Sequence, residues 1–352
     1  MTDNGQTKKR GRKQAAFTRA PPIILDRRER IESKSTSTED KKEEAKDTVI
    51  PFMRRPAKFN TDAILKNLTD YPGHFVIGII GKQGVGKSTI LSQFAQLDQV
   101  FSTQPCDQFL ISGHKTEGID MYVTPERAIL LDTEPVLSWS VLEKVIRTEN
   151  LDGLNPDVWL EMDSIYTVLF LLSVCHVVLV VNDKPEIDLD ILQLIQRAEA
   201  LKFNIPDYPL LTGQQDMNYY PDIVFVCNKC KSHDFTLEKY MNLQTALGTI
   251  FKQSQLKTQG LVQLGSILPS FITPGTINIF FLPDQQDNTI ESFDILACEL
   301  RDQVTAAPRK SGKKGQVSEK DWFKNAYKIY ELIHKSDYIT EYLQVVRKLR
   351  DS

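Results

Sequence analysis

The chain has 352 residues, of which 41% are hydrophobic and 25% charged. That balance excludes collagen-like, wholly disordered and disulfide-scaffold proteins, and the length allows one large domain or two small ones. With 43 basic and 46 acidic residues the net charge is −3, which argues against a protein whose main task is to coat nucleic acid.

Residues 1–58 hold 16 Lys/Arg and 9 Asp/Glu, a net +7, so the remainder carries −10. This stretch lacks apolar periodicity. It cannot bury enough apolar surface to offset the entropy of ordering it, and reads as a disordered basic leader. Its polar and then basic opening is unlike a secretory signal. With five scattered cysteines, that points to a reducing, cytoplasmic compartment, with the nucleus as a second location. The cluster Lys8, Lys9, Arg10, Arg12, Lys13 reads either as a nuclear-import or RNA contact or as a solvated tail. The apolar island Pro21–Leu25 is either a partner-docking segment or a local fluctuation.

Order is expected from Phe59. Phe75–Ile80 is a wholly apolar strand, followed by a helix over Lys87–Leu97. Ala128–Leu131 is strand-like. The longest uncharged apolar run, Thr167–Val181, is too short to span a bilayer. It reads as the end of a helix followed by a buried strand, His176–Val181, so no membrane is implied. A helix is predicted over Ile187–Lys202, a strand over Ile223–Cys227, a helix over Thr236–Phe251, a strand over Ile277–Leu282 and a helix over Thr289–Val304. Apolar strands separated by helices imply an α/β fold with a mainly parallel sheet covered on both faces. Residues 254–276 look like a loop insertion, and 306–317 like a basic linker. Over 318–352 a helical pair is predicted, opened by a capping box at Ser318 and Asp321. It is too small to fold alone and must pack on the domain or on a partner.

The chemistry lies in Gly81-Lys82-Gln83-Gly84-Val85-Gly86-Lys87-Ser88, a complete G-x-x-x-x-G-K-[ST] loop between a strand and a helix. Its glycines let backbone N–H groups wrap phosphate oxygens. The helix N-terminus adds partial positive charge, and Lys87 a full one. Thr89 reinforces the first helical turn, and the Ser88 hydroxyl is a Mg²⁺ ligand. Asp132 ends the strand Ile129–Leu131 as a metal-side carboxylate. Thr116 sits where a third Mg²⁺ contact would come from. The order of loop, variable segment and strand ending in Asp resembles the GTPase branch of P-loop proteins.

The departures matter as much. After Asp132 come Thr133, Glu134 and Pro135, where a GTPase needs a glycine N–H for the γ-phosphate, and proline has none. Val136 follows, where a glutamine would orient water. Hydrolysis rests on positioning and charge stabilisation, so no catalytic residue is assigned and little turnover is expected. Guanine selection uses N-K-x-D, but here Asn228-Lys229-Cys230-Lys231 puts a cation where the carboxylate belongs. Asn228 and Lys229 are still assigned to the nucleotide, and ATP becomes admissible beside GTP or GDP. Cys227 and Cys230 lack a second pair at metal spacing. No nucleic-acid site is legible. The competing readings are an active NTPase with an unrecognised water-positioning group, and a P-loop kinase or nucleic-acid-dependent ATPase.

The runs Phe75–Thr89, Thr116–Asp120, Asp132–Pro135 and Asp321–Tyr327 together resemble the Smg-nine family of nonsense-mediated mRNA decay subunits, over about residues 59–350. The resemblance implies a GTPase-like domain that binds nucleotide and a tight heterodimer with an Smg-eight-type GTPase-like subunit. It further implies that the pair docks on, and restrains, the large phosphatidylinositol-kinase-related kinase of the pathway.

Overall fold

Five strands form the parallel heart of the sheet because each is apolar on both sides. In the computed structural model they are β3 (Phe75–Ile80), β5 (Ala128–Thr133), β6 (Val177–Asp183), β7 (Asp222–Cys230) and β8 (Ile279–Pro283). Every residue of β3, β5 and β8 is buried, as expected for strands covered by helices on both faces. The structure describes residues 48–55, 58–97, 99–103, 113–148, 151, 153–202, 205, 219–273, 277–287, 290–307 and 317–351. The basic cluster at 8–13, the apolar island at 21–25 and most of the 306–317 linker lie outside them.

Three further strands make the sheet mixed: β1 (Ile50–Arg54), β2 (Lys58–Phe59) and β4 (Ile119–Val123). The order is β2-β1-β4-β5-β3-β6-β7-β8, with β4 antiparallel to both β5 and β1. This corrects the expected boundary of the leader: the fold takes in Ile50, well before Phe59. β1 is short, contains Pro51 and sits among basic residues, so its alternation is too brief to stand out. Its anchors are Ile50 and Phe52, both buried.

Nine helices are described: α1 (Thr61–Asn67), α2 (Lys87–Phe94), α3 (Trp139–Thr148), α4 (Pro156–Val174), α5 (Leu189–Lys202), α6 (Leu237–Ile250), α7 (Phe293–Thr305), α8 (Glu319–Lys335) and α9 (Asp337–Asp351). α2 and α7 pack together on one face of the sheet. α4 lies on the other, so close that a Cβ on Gly78 of β3 would sit 3.1 Å from Leu171 Cδ2. α4 starts with Asn155, whose side chain accepts the Asp157 N–H at 3.0 Å, and with Pro156 at the first helical position. It buries 13 of its 19 residues because α5 and α8 cover its outer side. No described helix is long and apolar enough to cross a membrane.

The 254–276 segment is described up to residue 273. It contains two 3-10 turns, Leu264–Ser266 and Pro269–Phe271, with Val262, Leu264 and Phe271 buried. Buried Asn278 holds it, its Oδ1 accepting the N–H groups of Leu261 and Val262 at 2.7 and 3.2 Å. α8 is part of the core. Ser318 accepts the Asp321 N–H at 3.1 Å and donates to the Asp321 carboxylate at 2.8 Å. Buried Glu319 accepts from the Thr69 N–H at 2.7 Å and pairs with Arg127.

Candidate functional site

The phosphate loop joins β3 to α2. Gly86 precedes the helix at φ +93°, and a Cβ there would lie 2.3 Å from Asn228 Nδ2. Only glycine meets both demands. From the end of β7, Asn228 Nδ2 donates to Val85 O at 2.8 Å and Lys229 Nζ donates to Gly84 O at 2.7 Å. Both predicted base-side residues therefore also brace the loop. Opposite, Lys82 pairs with Asp188 and Asp190 before and at the start of α5, at 2.8 and 2.9 Å.

Three residues assigned to the metal from sequence converge. Ser88 Oγ and Thr116 Oγ1 both donate to Asp132 Oδ2, at 2.7 and 2.9 Å, and lie 3.5 Å from each other. Asp132 is fully buried and its Oδ1 has no protein partner. An orphaned buried carboxylate oxygen beside two hydroxyls is an all-oxygen donor set of the kind that suits Mg²⁺. Lys87, also buried, donates from Nζ to Gly81 O at 3.1 Å and Lys82 O at 3.2 Å.

Burial pushes the Asp132 carboxyl up to about 6, opposed by the Lys87 charge and by the hydrogen bonds from Ser88 and Thr116. Burial pulls Lys87 down to about 8, opposed by Asp132 and Glu134. Between pH 4 and 6 the folded chain thus holds a proton on Asp132 that the unfolded chain has released, so this group's contribution to stability falls as pH rises. Between pH 8 and about 10.5 Lys87 works in the opposite direction. In nucleotide-free protein the pair is least favourable from pH 6 to 8. We expect the parent chain, compared with Asp132→Asn, to lose about 2 kcal/mol of stability between pH 4 and pH 7. Denaturant titrations of both proteins at the two pH values check this; parallel pH profiles would refute the burial effect.

At the terminal-phosphate side, Pro135 lines the cavity. The Val136 side chain is buried and its N–H donates to Gly81 O at 3.2 Å. Gln83 Oε1 accepts from Ser138 and Ser140 at 3.0 and 2.7 Å, and its Nε2 donates to Gly113 O at 3.0 Å. His114 Nδ1 lies 2.9 Å from Ser140 Oγ. Burial, with Lys144 and Arg55 nearby, lowers His114 to about 4, so it is neutral at physiological pH. Gln83 occupies a variable position of the loop motif and was assigned from sequence; His114 lies outside the motif and was not.

A cavity of about 1010 Å³ runs from these residues past Gly84, Gly86, Lys87, Ser88 and Thr89 to Asn228, Lys229 and Gln286. Lys231 is not in its wall. Five acidic residues are: Asp188 and Asp190, which pair with Lys82, and Asp183, Glu186 and Asp284. The last three come from the ends of β6 and β8 and the loop after β6, where no nucleotide motif announces them. Gly81 and Val85 flank the cradle; a Cβ on Gly81 would stand 2.5 Å from Val181 O.

Fold and site define a P-loop α/β protein: a parallel block, an antiparallel strand β4 beside β5, and the phosphate loop after β3. A family model described as Smg8_Smg9 matches residues 73–207. The chain is 30% identical to the nonsense-mediated mRNA decay factor SMG9 of Xenopus laevis over 331 residues, 81% of this chain and 64% of that protein. Identity to the SMG9 of Salmo salar is also 30%, covering 80% and 64%. With the Drosophila melanogaster protein SMG9 it is 27%, covering 78% and 57%. Among solved structures, bacterial selenocysteine-specific elongation factor EF-Sec superposes with a TM-score of 0.34 at 10% identity, covering 67% of this chain and 29% of that one. The match to the Smg8_Smg9 model is thus confined to residues 73–207, while the similarity to the frog SMG9 protein extends over about four fifths of the chain. The chain spans 64% of the length of the frog and salmon relatives.

Proposed function

We propose that this chain is a nucleotide-binding regulatory subunit of nonsense-mediated mRNA decay, with little or no hydrolysis of its own. The relatives' name supplies the pathway. One observation supports the division between binding and chemistry. Lys87, Ser88, Thr116 and Asp132 stand together, while the positions that should serve the terminal phosphate and the attacking water are Pro135, without an N–H, and Val136, turned into the core. In this reading Gly84, Val85, Gly86 and Lys87 bind the phosphates of ATP, GTP or GDP. Ser88, Thr116 and Asp132 hold Mg²⁺, which supplies charge neutralisation there. Bound nucleotide stiffens the loops of one surface, and that surface meets an Smg-eight-type subunit. The heterodimer then restrains the phosphatidylinositol-kinase-related kinase in the cytoplasm.

Incubation of purified protein with radiolabelled ATP and GTP tests the chemistry. Saturable binding with turnover below about one per minute is expected, low on the catalytic scale. Faster release of phosphate would favour an active NTPase instead. Affinity capture of the full chain from cell extract tests the partners, and recovery without an Smg-eight-type subunit would remove the assembly from the proposal.

A further inference from the structure

Arg54, the last residue of β1, and Arg55, which follows it, reach into the loops on either side of the metal residues. Arg54 donates to Ile119 O at 3.0 Å and pairs with Asp120 at the start of β4. Arg55 Nη1 donates to Glu134 Oε1 at 2.9 Å, with a second contact to the same oxygen from Nη2. Its guanidinium carbon lies 5.3 Å from the centre of the Trp159 ring, and Asp163 is 3.4 Å away. Glu134 uses its other oxygen, Oε2, to accept the Gly118 N–H at 3.0 Å, and its own N–H donates to Gly118 O at 2.8 Å. Gly118 is wedged under β1: its φ is +66°, and a Cβ would meet Met53 O at 2.3 Å. Two residues earlier stands Thr116, whose hydroxyl rests on Asp132.

We propose that Arg55 is a positioning residue for the metal side of the nucleotide site: through Glu134 and Gly118 it holds Thr116 on Asp132 whatever the phosphate state of the ligand. Every link is made by the chain's own atoms. Glu134 is 8% exposed, and a carboxylate so buried keeps its place only while its charge is paired. Without Arg55 it turns towards water and lets go of Gly118. The residues that would otherwise open and close with the terminal phosphate are then tied to the end of β1, the second strand of the sheet. Nucleotide therefore acts as a fixed filler rather than a timer. The inference rests on the nucleotide-binding reading for its purpose but not for its geometry.

Amide hydrogen exchange on the full chain tests it, in the absence of nucleotide and with ADP, ATP, GDP or GTP, each with Mg²⁺. In the parent protein the Gly118 and Glu134 amides should be protected to within about twofold in all five conditions. Arg55→Ala should speed their exchange about tenfold, which corresponds to 1.4 kcal/mol of lost holding. The same variant should cut the gain in nucleotide affinity that Mg²⁺ gives over EDTA by a similar factor. Arg55→Lys, which keeps the charge but loses the fork, should fall between. If Arg55→Ala does not fold, Glu134→Gln serves: it retains an acceptor for Gly118 but not the ion pair, and should also loosen the segment. A parent chain whose Gly118 amide exchanges freely until triphosphate is added would overturn the proposal, as would variants with unchanged exchange. Should the parent bind no nucleotide at all, the function proposed above fails while the exchange comparison still judges Arg55.

Discussion

Replacing Lys87 by alanine should lower affinity for ATP and GTP by about two to three orders of magnitude and leave the fold intact. The size follows from position. Lys87 is buried, and truncating one partner of a desolvated charge pair costs about 2–5 kcal/mol of binding, tenfold for each 1.4 kcal/mol. Survival of the fold follows from what the ammonium does when it is not on a phosphate. It donates to two loop carbonyls, and one of them, Gly81 O, also accepts the Val136 N–H. Burial already pulls this group down to about 8, so its removal relieves a desolvation cost while some packing of the stem is lost. Calorimetric titration with either nucleotide and Mg²⁺, beside a melting curve, measures both halves. Unchanged affinity would place the phosphates elsewhere in the cavity.

The sequence exposes the parts of this molecule in which local pattern and global role coincide. β3, the phosphate loop and α2 are legible because a fully buried parallel strand is a continuous apolar run and the loop has fixed spacing. Asp132 and Asn228 follow from the same logic, each closing an apolar strand. α4 is only half legible. With 13 of 19 residues buried it has no polar face, and without a polar face there is no stripe to read. β1 and β4 are short strands that pair with each other across more than 60 positions of sequence. Arg55 with Glu134 and Arg127 with Glu319 join residues 79 and 192 positions apart, and no periodicity encodes such contacts. The acidic wall of the base end, Asp183, Glu186 and Asp284, comes from two loops that meet only because β6, β7 and β8 are neighbours.

Why the base end departs from guanine selection also has a physical side. Lys231 stands at the position of the missing carboxylate, yet its backbone N–H donates to Asp234 Oδ2 at 2.9 Å and its side chain is exposed outside the cavity. In the proposed nucleotide-binding reading the cation would therefore not confront the base. The residue the same reading leaves to face a base is Lys229, held at φ +55° with Nζ on Gly84 O and 3.9 Å from Asp183. An ammonium anchored at both ends offers its stem as a flat apolar shelf, which suits either purine.

The C-terminal segment provides the largest expected stability effect. Trp322→Ala should destabilise the chain by about 3–5 kcal/mol, the range for removing a large aromatic side chain from a packed core. Trp322 is fully buried. Its ring stacks on Phe52 of β1, with centroids 5.9 Å apart, and lies 6.2 Å from His74. Its indole N–H donates to Val174 O at 3.0 Å. Val174 ends α4, so this carbonyl is one of the helix's terminal acceptors with no partner in the next turn. Alanine would therefore open a cavity and also orphan a buried acceptor. Trp322→Phe separates the two terms: it keeps most of the packing, gives up the hydrogen bond, and should cost about 1–2 kcal/mol. At roughly 2–4 °C per kcal/mol for a domain of this size, the alanine variant should melt about 10 °C lower and the phenylalanine variant only a few degrees lower. The consequence reaches the site, because Val174 leads through Cys175 and His176 into β6, whose far end, Val181–Asp183, lines the nucleotide cavity. Nucleotide affinity measured well below the melting range should stay near the parent value in Trp322→Phe and weaken in Trp322→Ala. A loss below about 1 kcal/mol in the alanine variant, within the scatter of ordinary surface changes, would mean that α8 contributes little to the core, and a chain ending before Ser318 should then melt like the full one.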